Sequence, residues 1–170
     1  MSVWQEIWQT VLSEFSDIPD VEQATRITLR LLMAAILGGL LGSERELSGK
    51  AAGLRTHILV AIGSTVFILV PQQTGVPAAD LSRVMQGVVA GVGFLGAGAI
   101  IMGSNKEKVT GLTTAASIWI TAAIGVTIGV GREATALLST LLALSVLSTI
   151  PWIARLFQRA TKKRKHAGTE

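Results

Sequence analysis

The chain alternates between long apolar runs and short polar breaks, and that pattern constrains its fold more than any motif does. Five stretches, Ile27–Ser43, His57–Val70, Val84–Met102, Leu112–Val130 and Ala134–Phe157, take up most of the 170 residues. A bilayer core ~30 Å thick is crossed by about 20 mostly apolar residues in a helix. The second stretch is short for this and is expected to borrow a turn from Leu54–Thr56. Lipid offers the backbone no hydrogen-bond partner, so each run must close its own bonds as a helix. The expectation is an all-α, polytopic transmembrane bundle of about five helices over residues 21–158. An amphipathic interfacial helix over 1–20 precedes it and a basic cytoplasmic tail over 159–170 follows it.

Composition agrees. Hydrophobic residues make up 49% of the chain and charged residues 15%, with a mean hydropathy of +0.54, which excludes a disordered protein. Without a cysteine, no disulfide, zinc or iron–sulfur site can be built from thiolates. The formal charge of +4 does not signal nucleic acid, because the basic residues sit where membrane topology wants them. With the N-terminus outside, Arg45, Lys50, Arg55, Lys106, Lys108 and the six cations of Arg155–Lys165 fall on one side; Arg26, Arg30, Arg83 and Arg132 fall on the other. Eleven against four puts the richer side in the cytoplasm. The tail Thr161–Lys165 reads as a stop signal that also touches anionic lipid.

Met1–Asp20 is no secretory signal, since it lacks a basic start and carries Glu6, Glu14 and Asp17. Trp4, Ile7, Trp8, Val11, Leu12 and Phe15 recur at helical spacing, the pattern of a helix lying in the headgroup layer. The rest reads as one domain. Pro71 and Pro77 close an outer loop over Pro71–Arg83, and Gly103–Gly111 forms a short inner loop. A parallel repeat of two hairpins is also visible. Gly39-Leu40-Leu41-Gly42 resembles Gly93-Phe94-Leu95-Gly96, and Gly53-Leu54-Arg55-Thr56 resembles Gly111-Leu112-Thr113-Thr114.

Glycines fall mostly within the apolar runs. Gly38 and Gly42, Gly87 and Gly91, and Gly125 and Gly129 are each four apart, a spacing that lets helix backbones approach closely in lipid. The third run, with Gly87, Gly91, Gly93, Gly96 and Gly98, is expected to be the central helix, so that Gly93→Leu would break assembly by overpacking. Gly91-Val92-Gly93-Phe94-Leu95-Gly96 matches the dinucleotide fingerprint by letter, but that motif needs a strand before it and a helix after it. Here it lies inside an apolar run of helix length.

One polar cluster stands at the inner boundary. Glu44 and Arg45 end the first run, Arg55, Thr56 and His57 open the second, and Thr113 and Thr114 open the fourth. If the three helices pack together, Glu44 is expected between two guanidiniums and two helix starts, which favours its ionised form. Two readings stay open. Glu44 pairs with Arg45 or Arg55 as a structural clamp, or it is the acid of a cation- or proton-responsive site and its candidate metal ligand. His57 is either a boundary hydrogen-bonder or a group titrating near neutral pH. Gln86, Ser64, Thr65, Ser117 and Thr121 read as interhelical hydrogen-bonders, and Trp119 as packing against the glycine-rich helix. Asp80 and Arg83 read as a local salt bridge. No arrangement of residues suggests catalysis.

Three segments carry a resemblance. Gly42-Ser43-Glu44-Arg45-Glu46 with Ala52-Gly53-Leu54-Arg55-Thr56-His57 is similar to the first signature of the MgtC/SapB membrane protein family. Arg83-Val84-Met85-Gln86-Gly87 running into Gly91–Gly98 resembles its second, and Gly111–Trp119 its third. The resemblance covers about residues 27–150. It implies a five-helix bacterial inner-membrane protein associated with growth under low magnesium and, in some members, with survival inside host cells. It also implies action on the proton-translocating ATP synthase and on membrane potential. Longer members carry a soluble cytoplasmic domain after the fifth helix, where this chain has a basic tail, so it resembles a short form. The resulting expectation is a non-enzymatic protein without a cofactor that supports magnesium homeostasis or stress adaptation. Its partners would be lipid, a second copy of itself, or another inner-membrane protein such as ATP synthase. The alternative is a small oligomeric transporter or channel for Mg2+ or H+.

Overall fold

The computed structural model describes residues 2–18, 20–102 and 110–166, with side chains described for 2–18, 20–100 and 110–149. Six helices follow in order among the described residues: α1 (Val3–Glu14), α2 (Val21–Leu47), α3 (Leu54–Gln73), α4 (Ala78–Met102), α5 (Leu112–Gly129) and α6 (Glu133–His166). Four of them, α2 to α5, are long and apolar enough to cross a membrane. The expected count of about five is thereby narrowed, because the described apolar part of α6 is the shorter segment Glu133–Thr149. Lys106, Lys108 and most of the expected inner loop lie outside the described residues. So do the side chains of the expected basic tail, although the helical backbone of α6 continues to His166.

Local signals set the helix ends. Asp20 starts α2, its carboxylate accepting the Gln23 N–H at 2.7 Å, which satisfies one of the donors a helix start leaves orphaned. Turns close at glycines with left-handed backbone, Gly75 (φ 74°) before α4 and Gly131 (φ 86°) before α6. The expected loop over Pro71–Arg83 is a correction. Pro71 lies inside the last turn of α3, the chain reverses within Thr74–Pro77, and α4 begins at Ala78. Proline forfeits its own N–H bond there, but its carbonyl still accepts from Val76 N–H at 3.0 Å and Thr74 Oγ1 at 3.1 Å. Asp80 and Arg83 face each other across one turn at 4.0 Å, both exposed, as a local pair.

Helices α2 and α3 pack as one antiparallel hairpin and α4 and α5 as another, with α3 against α5 in the middle. Half of the apolar window of α5 is buried, against 17% for α4. The central pair is therefore α3–α5, and the expectation that the glycine-rich third run is central is overturned. A Cβ on Gly87, Gly91, Gly93 or Gly98 would meet nothing within 4 Å, and of these five α4 glycines only Gly96 touches a neighbour, Ala115. The close approaches occur elsewhere. A Cβ on Gly38 would lie 2.7 Å from the His57 carbonyl oxygen, one on Gly42 2.7 Å from Leu54 Cα, and one on Gly129 2.7 Å from Ile68 Cβ. Small residues permit backbone approach; they do not create it. What draws α3 and α5 together also includes polar bonding, since the Thr65 hydroxyl, shared with Ala61 O of its own helix, reaches Gly125 O across the interface, both at 2.9 Å. Gln86 is exposed, and Trp119 is half exposed in a groove beside Val88, Val89 and Val92, not on the glycines.

The apolar core is built around α2, whose Ala34, Leu37 and Leu41 meet Ala61 of α3, Ile124 and Ile128 of α5 and Ala136 of α6. A second cluster joins Ala52, Val92, Ile118 and Ala122. Gly42–His57 and Gly96–Ala115 are the same contact in the two hairpins, as the repeat expects. Among the described residues α1 packs against no other helix, and its whole apolar stripe is exposed.

Candidate functional site

The expected cluster forms at the α2 C-terminus, but with a different division of labour. On α2, positions 34, 37, 41 and 45 share one stripe at helical spacing, so Arg45 extends the core stripe and is only 3% exposed. Its guanidinium turns back onto Glu44, bonding through Nε and Nη2 to one carboxylate oxygen. The other oxygen accepts from Ser48 Oγ at 2.9 Å. Glu44 therefore pairs with Arg45, and Arg55 stands apart from it as an exposed residue.

Glu44 is also not the acid at a helix start. That position belongs to Glu46, whose Oε2 accepts the Leu54 N–H at 2.8 Å and caps α3. Gly53 has to be small for this, since a Cβ there would sit 2.7 Å from the same oxygen. The signal was present in the sequence: Gly38, Gly42 and Glu46 are spaced by four, so the stripe that faces α3 ends in an acid. Glu44, two positions past Gly42, points off that face.

His57 is fully buried between α2 and α5. Its Nδ1 meets Gly53 O at 2.9 Å and its Nε2 meets Ser117 Oγ at 3.2 Å; Ser117 Oγ also donates to Thr114 O at 2.8 Å. Both ring nitrogens thus lie against a polar partner, which orients the ring. Thr114 is buried beside this chain, whereas Thr56 and Thr113 are exposed. The structure thus brings Glu44, Arg45, His57 and Thr114 into the packed end of the bundle. It leaves Arg55, Thr56 and Thr113 on the surface of that end.

The donor set does not fit a resident Mg2+. Hard divalent ions take several free oxygens, while Glu44 is held by a guanidinium and Glu46 by a backbone N–H. Among the described residues no group of three or more His, Asp or Glu lies together. The fingerprint-like Gly91–Gly96 segment lies wholly within α4, with no strand before it.

A residue counted only for topology also proves structural. Arg30 sits one turn before Ala34 on the core stripe of α2, so arginines flank that stripe at both ends. Its Nη1 donates to Gly129 O at 3.0 Å and to Gln72 Oε1 at 3.3 Å, and a Cβ on Gly131 would strike its Nη2. An arginine in phase with buried positions was the legible signal.

Comparison with known proteins places these observations. The chain is 43% identical over 150 residues to SrpB of Synechococcus elongatus, covering 78% of this chain and 82% of that protein. It is 43% identical over 126 residues to YhiD of Escherichia coli, provisionally designated a magnesium transporter, covering 70% of this chain and 58% of YhiD. To MgtC of Salmonella typhimurium it is 45% identical over 116 residues, covering 68% of this chain and 48% of MgtC, so it spans about half of that relative. No solved structure matches. The profile of the MgtC family matches residues 31–156, which takes in α2 from Leu31 onward, α3 to α5, the described apolar part of α6 and every residue of the polar cluster. The chain belongs to the MgtC family.

Proposed function

We propose that this protein is a non-enzymatic inner-membrane protein that supports magnesium homeostasis by engaging another membrane complex through the end of the bundle that carries Glu44. The observation behind this reading is the contrast at that end. Glu44–Arg45 and His57 are locked into packing, while Arg55, Thr56 and Thr113 stand exposed on top of it. A rigid base under an exposed cation and two hydroxyls suits recognition of an acidic partner surface. Magnesium enters from the relatives, through the designation of YhiD.

Its topology follows from the distribution of charge. The N-terminus is outside, α6 makes a fifth crossing, and the Glu44 end and the basic tail face the cytoplasm. Helix α1 lies in the outer headgroup layer, an assignment supported by its exposed Trp4, Trp8 and Phe15. The open glycine strip of α4 suits self-association. Partners of the ATP synthase kind belong to the same reading.

Pull-down from native membranes with mass-spectrometric identification tests it, alongside growth in low magnesium. A membrane complex that co-purifies with the unsubstituted chain and is lost in Arg55→Ala/Thr113→Ala, with folding intact, supports the reading. Flux of Mg2+ or H+ in sealed vesicles holding the purified chain alone overturns it in favour of a transporter.

A further inference from the structure

A glutamine faces lipid near the middle of α4. The apolar span of that helix runs from Ala78 to Ile100, and Gln86 lies three residues, ~4.5 Å along the axis, from its centre. Gln86 is exposed, and among the described residues its amide has no hydrogen-bond partner. Hydrocarbon offers such a group nothing to bond. Exposed hydroxyls on α6 escape the problem by bonding a carbonyl of their own helix, Ser145 to Leu142 O and Ser148 to Leu144 O, each at 2.7 Å. Gln86 makes no such bond.

The surface around it is unlike the rest of the lipid face. Helices α2 and α6 present bulk to the lipid, with Leu32, Ile36 and Leu40 on one and Leu137, Leu141 and Val146 on the other. On α4, by contrast, Ala79, Arg83, Gln86, Ala90, Gly93 and Ala97 are all exposed. They step by four and three in alternation, the 3.5-residue period of a left-handed helix pair. A Cβ on Gly93 would meet nothing within 4 Å, so a second helix can come close along this line. Arg83, the one charge on it, lies nearer the helix start and 4.0 Å from Asp80. Its long stem lets the guanidinium reach the headgroup layer.

The chemistry of the amide and the topology together select the occupant. A glutamine both donates and accepts, so a second glutamine matches it fully. Copies of one chain enter the membrane in one orientation, which makes their α4 helices parallel and puts both glutamines at the same depth. A two-fold axis along the membrane normal then sets each against the other.

We propose that two copies of this chain pair through α4, the Gln86 amides exchanging N–H···O=C bonds across the two-fold axis, with Ala90, Gly93 and Ala97 as the seam. Helix α4 turns Leu81, Val92 and Gly96 inward, so pairing leaves each bundle as it stands. The proposal rests on the self-association read above and gives it one face and one polar bond.

The chain has no cysteine of its own, so single cysteines report the face directly. In native membranes under an oxidant, Ala90→Cys and Ala97→Cys should each give a disulfide-linked dimer of the full chain. Leu95→Cys, exposed between them in depth but on the other flank of α4, should stay monomeric. In detergent micelles, energy transfer between labelled full chains gives the dissociation constant. Gln86→Leu should raise it about tenfold with the helical circular dichroism unchanged, and Gln86→Asn, which keeps an amide, should recover part of the loss. The cross-links decide the face even if Gln86→Leu fails to fold. The proposal is overturned by absence of both cross-links, by equal cross-linking at Leu95→Cys, by capture of a different membrane protein at Ala90→Cys in place of a second copy, or by an unchanged dissociation constant in folded Gln86→Leu. The Arg55→Ala/Thr113→Ala pull-down reads the Glu44 end instead, so either reading can fail alone.

Discussion

Replacing Gly38 by alanine puts the helix packing to a quantitative test. The new methyl carbon would lie 2.7 Å from the His57 carbonyl oxygen and 2.8 Å from Ala61 Cβ, and would also crowd the His57 carbonyl carbon at 3.2 Å. Two of these three atoms are backbone of α3 and cannot rotate away. Ordinary contact begins near 3.4 Å, so α3 must withdraw by several tenths of an ångström. Overpacking of this kind costs ~1–3 kcal/mol. Alanine recovers about 1 kcal/mol of helix propensity at most. Because the struck His57 atoms are backbone, the cost falls at ~2–3 kcal/mol, and the net expectation is a loss of ~1–2 kcal/mol. Gly93→Ala is the control, because nothing lies within 4 Å of its Cβ position and only the propensity gain remains. Reversible unfolding in mixed micelles, followed by circular dichroism against SDS mole fraction, measures both. The two variants should move in opposite directions. Equal destabilisation, or a harmless Gly38→Ala, would refute the assignment of α2–α3 as the close-packed interface.

Three further outcomes are expected. Arg45→Ala should cost about 3 kcal/mol by leaving Glu44 without its guanidinium, whereas Arg55→Ala should stay within about 0.5 kcal/mol; the same unfolding assay separates them. Glu46→Ala should cost ~1 kcal/mol as a lost cap, and hydrogen exchange should show the first turn of α3 fraying, with Leu54 leading. Gly131→Ala should cost ~1–3 kcal/mol from the left-handed backbone alone, and a thermal shift that persists in an Arg30→Gln background isolates that part from the clash with Arg30.

Much of this fold is legible in the chain because lipid and water impose a simple code. Of the five apolar runs read as helices, four lie in helices long and apolar enough to cross a membrane, while α2 begins at Val21, six residues before the first run. Gly42 and Gly96 were recognisable as equivalent, and they make equivalent contacts. Which helix is central was not legible from glycine content. Helix α4 has the barest surface, yet it is the least buried of the four spans. Helix α5 combines two glycines with Thr114, Ser117 and Thr121, all buried. Those hydroxyls are ambiguous in one dimension, because each can bond within its own helix; Ser117 reaching His57 depends on two segments sixty residues apart. At the site, the cluster and the Glu44–Arg45 pair were found by residue type, whereas the place at the start of α3 falls to Glu46. Helical phase would have separated Glu44 from Glu46, since only the latter falls in line with Gly38 and Gly42. The same phase argument singles out Arg30.

The pairing of α3 with α5 also dictates when the protein can finish folding. During synthesis the α2–α3 hairpin emerges first, and it enters the bilayer with His57 Nε2 lacking Ser117 and Thr65 lacking the Gly125 carbonyl. Those partners are translated some sixty residues later. Until α5 leaves the ribosome, the early hairpin holds an imidazole nitrogen that lipid cannot solvate, while Thr65 keeps only its bond to Ala61 O within α3. Insertion intermediates ending before Leu112 should therefore linger beside the translocon or an insertase, and release into the membrane should coincide with the arrival of α5.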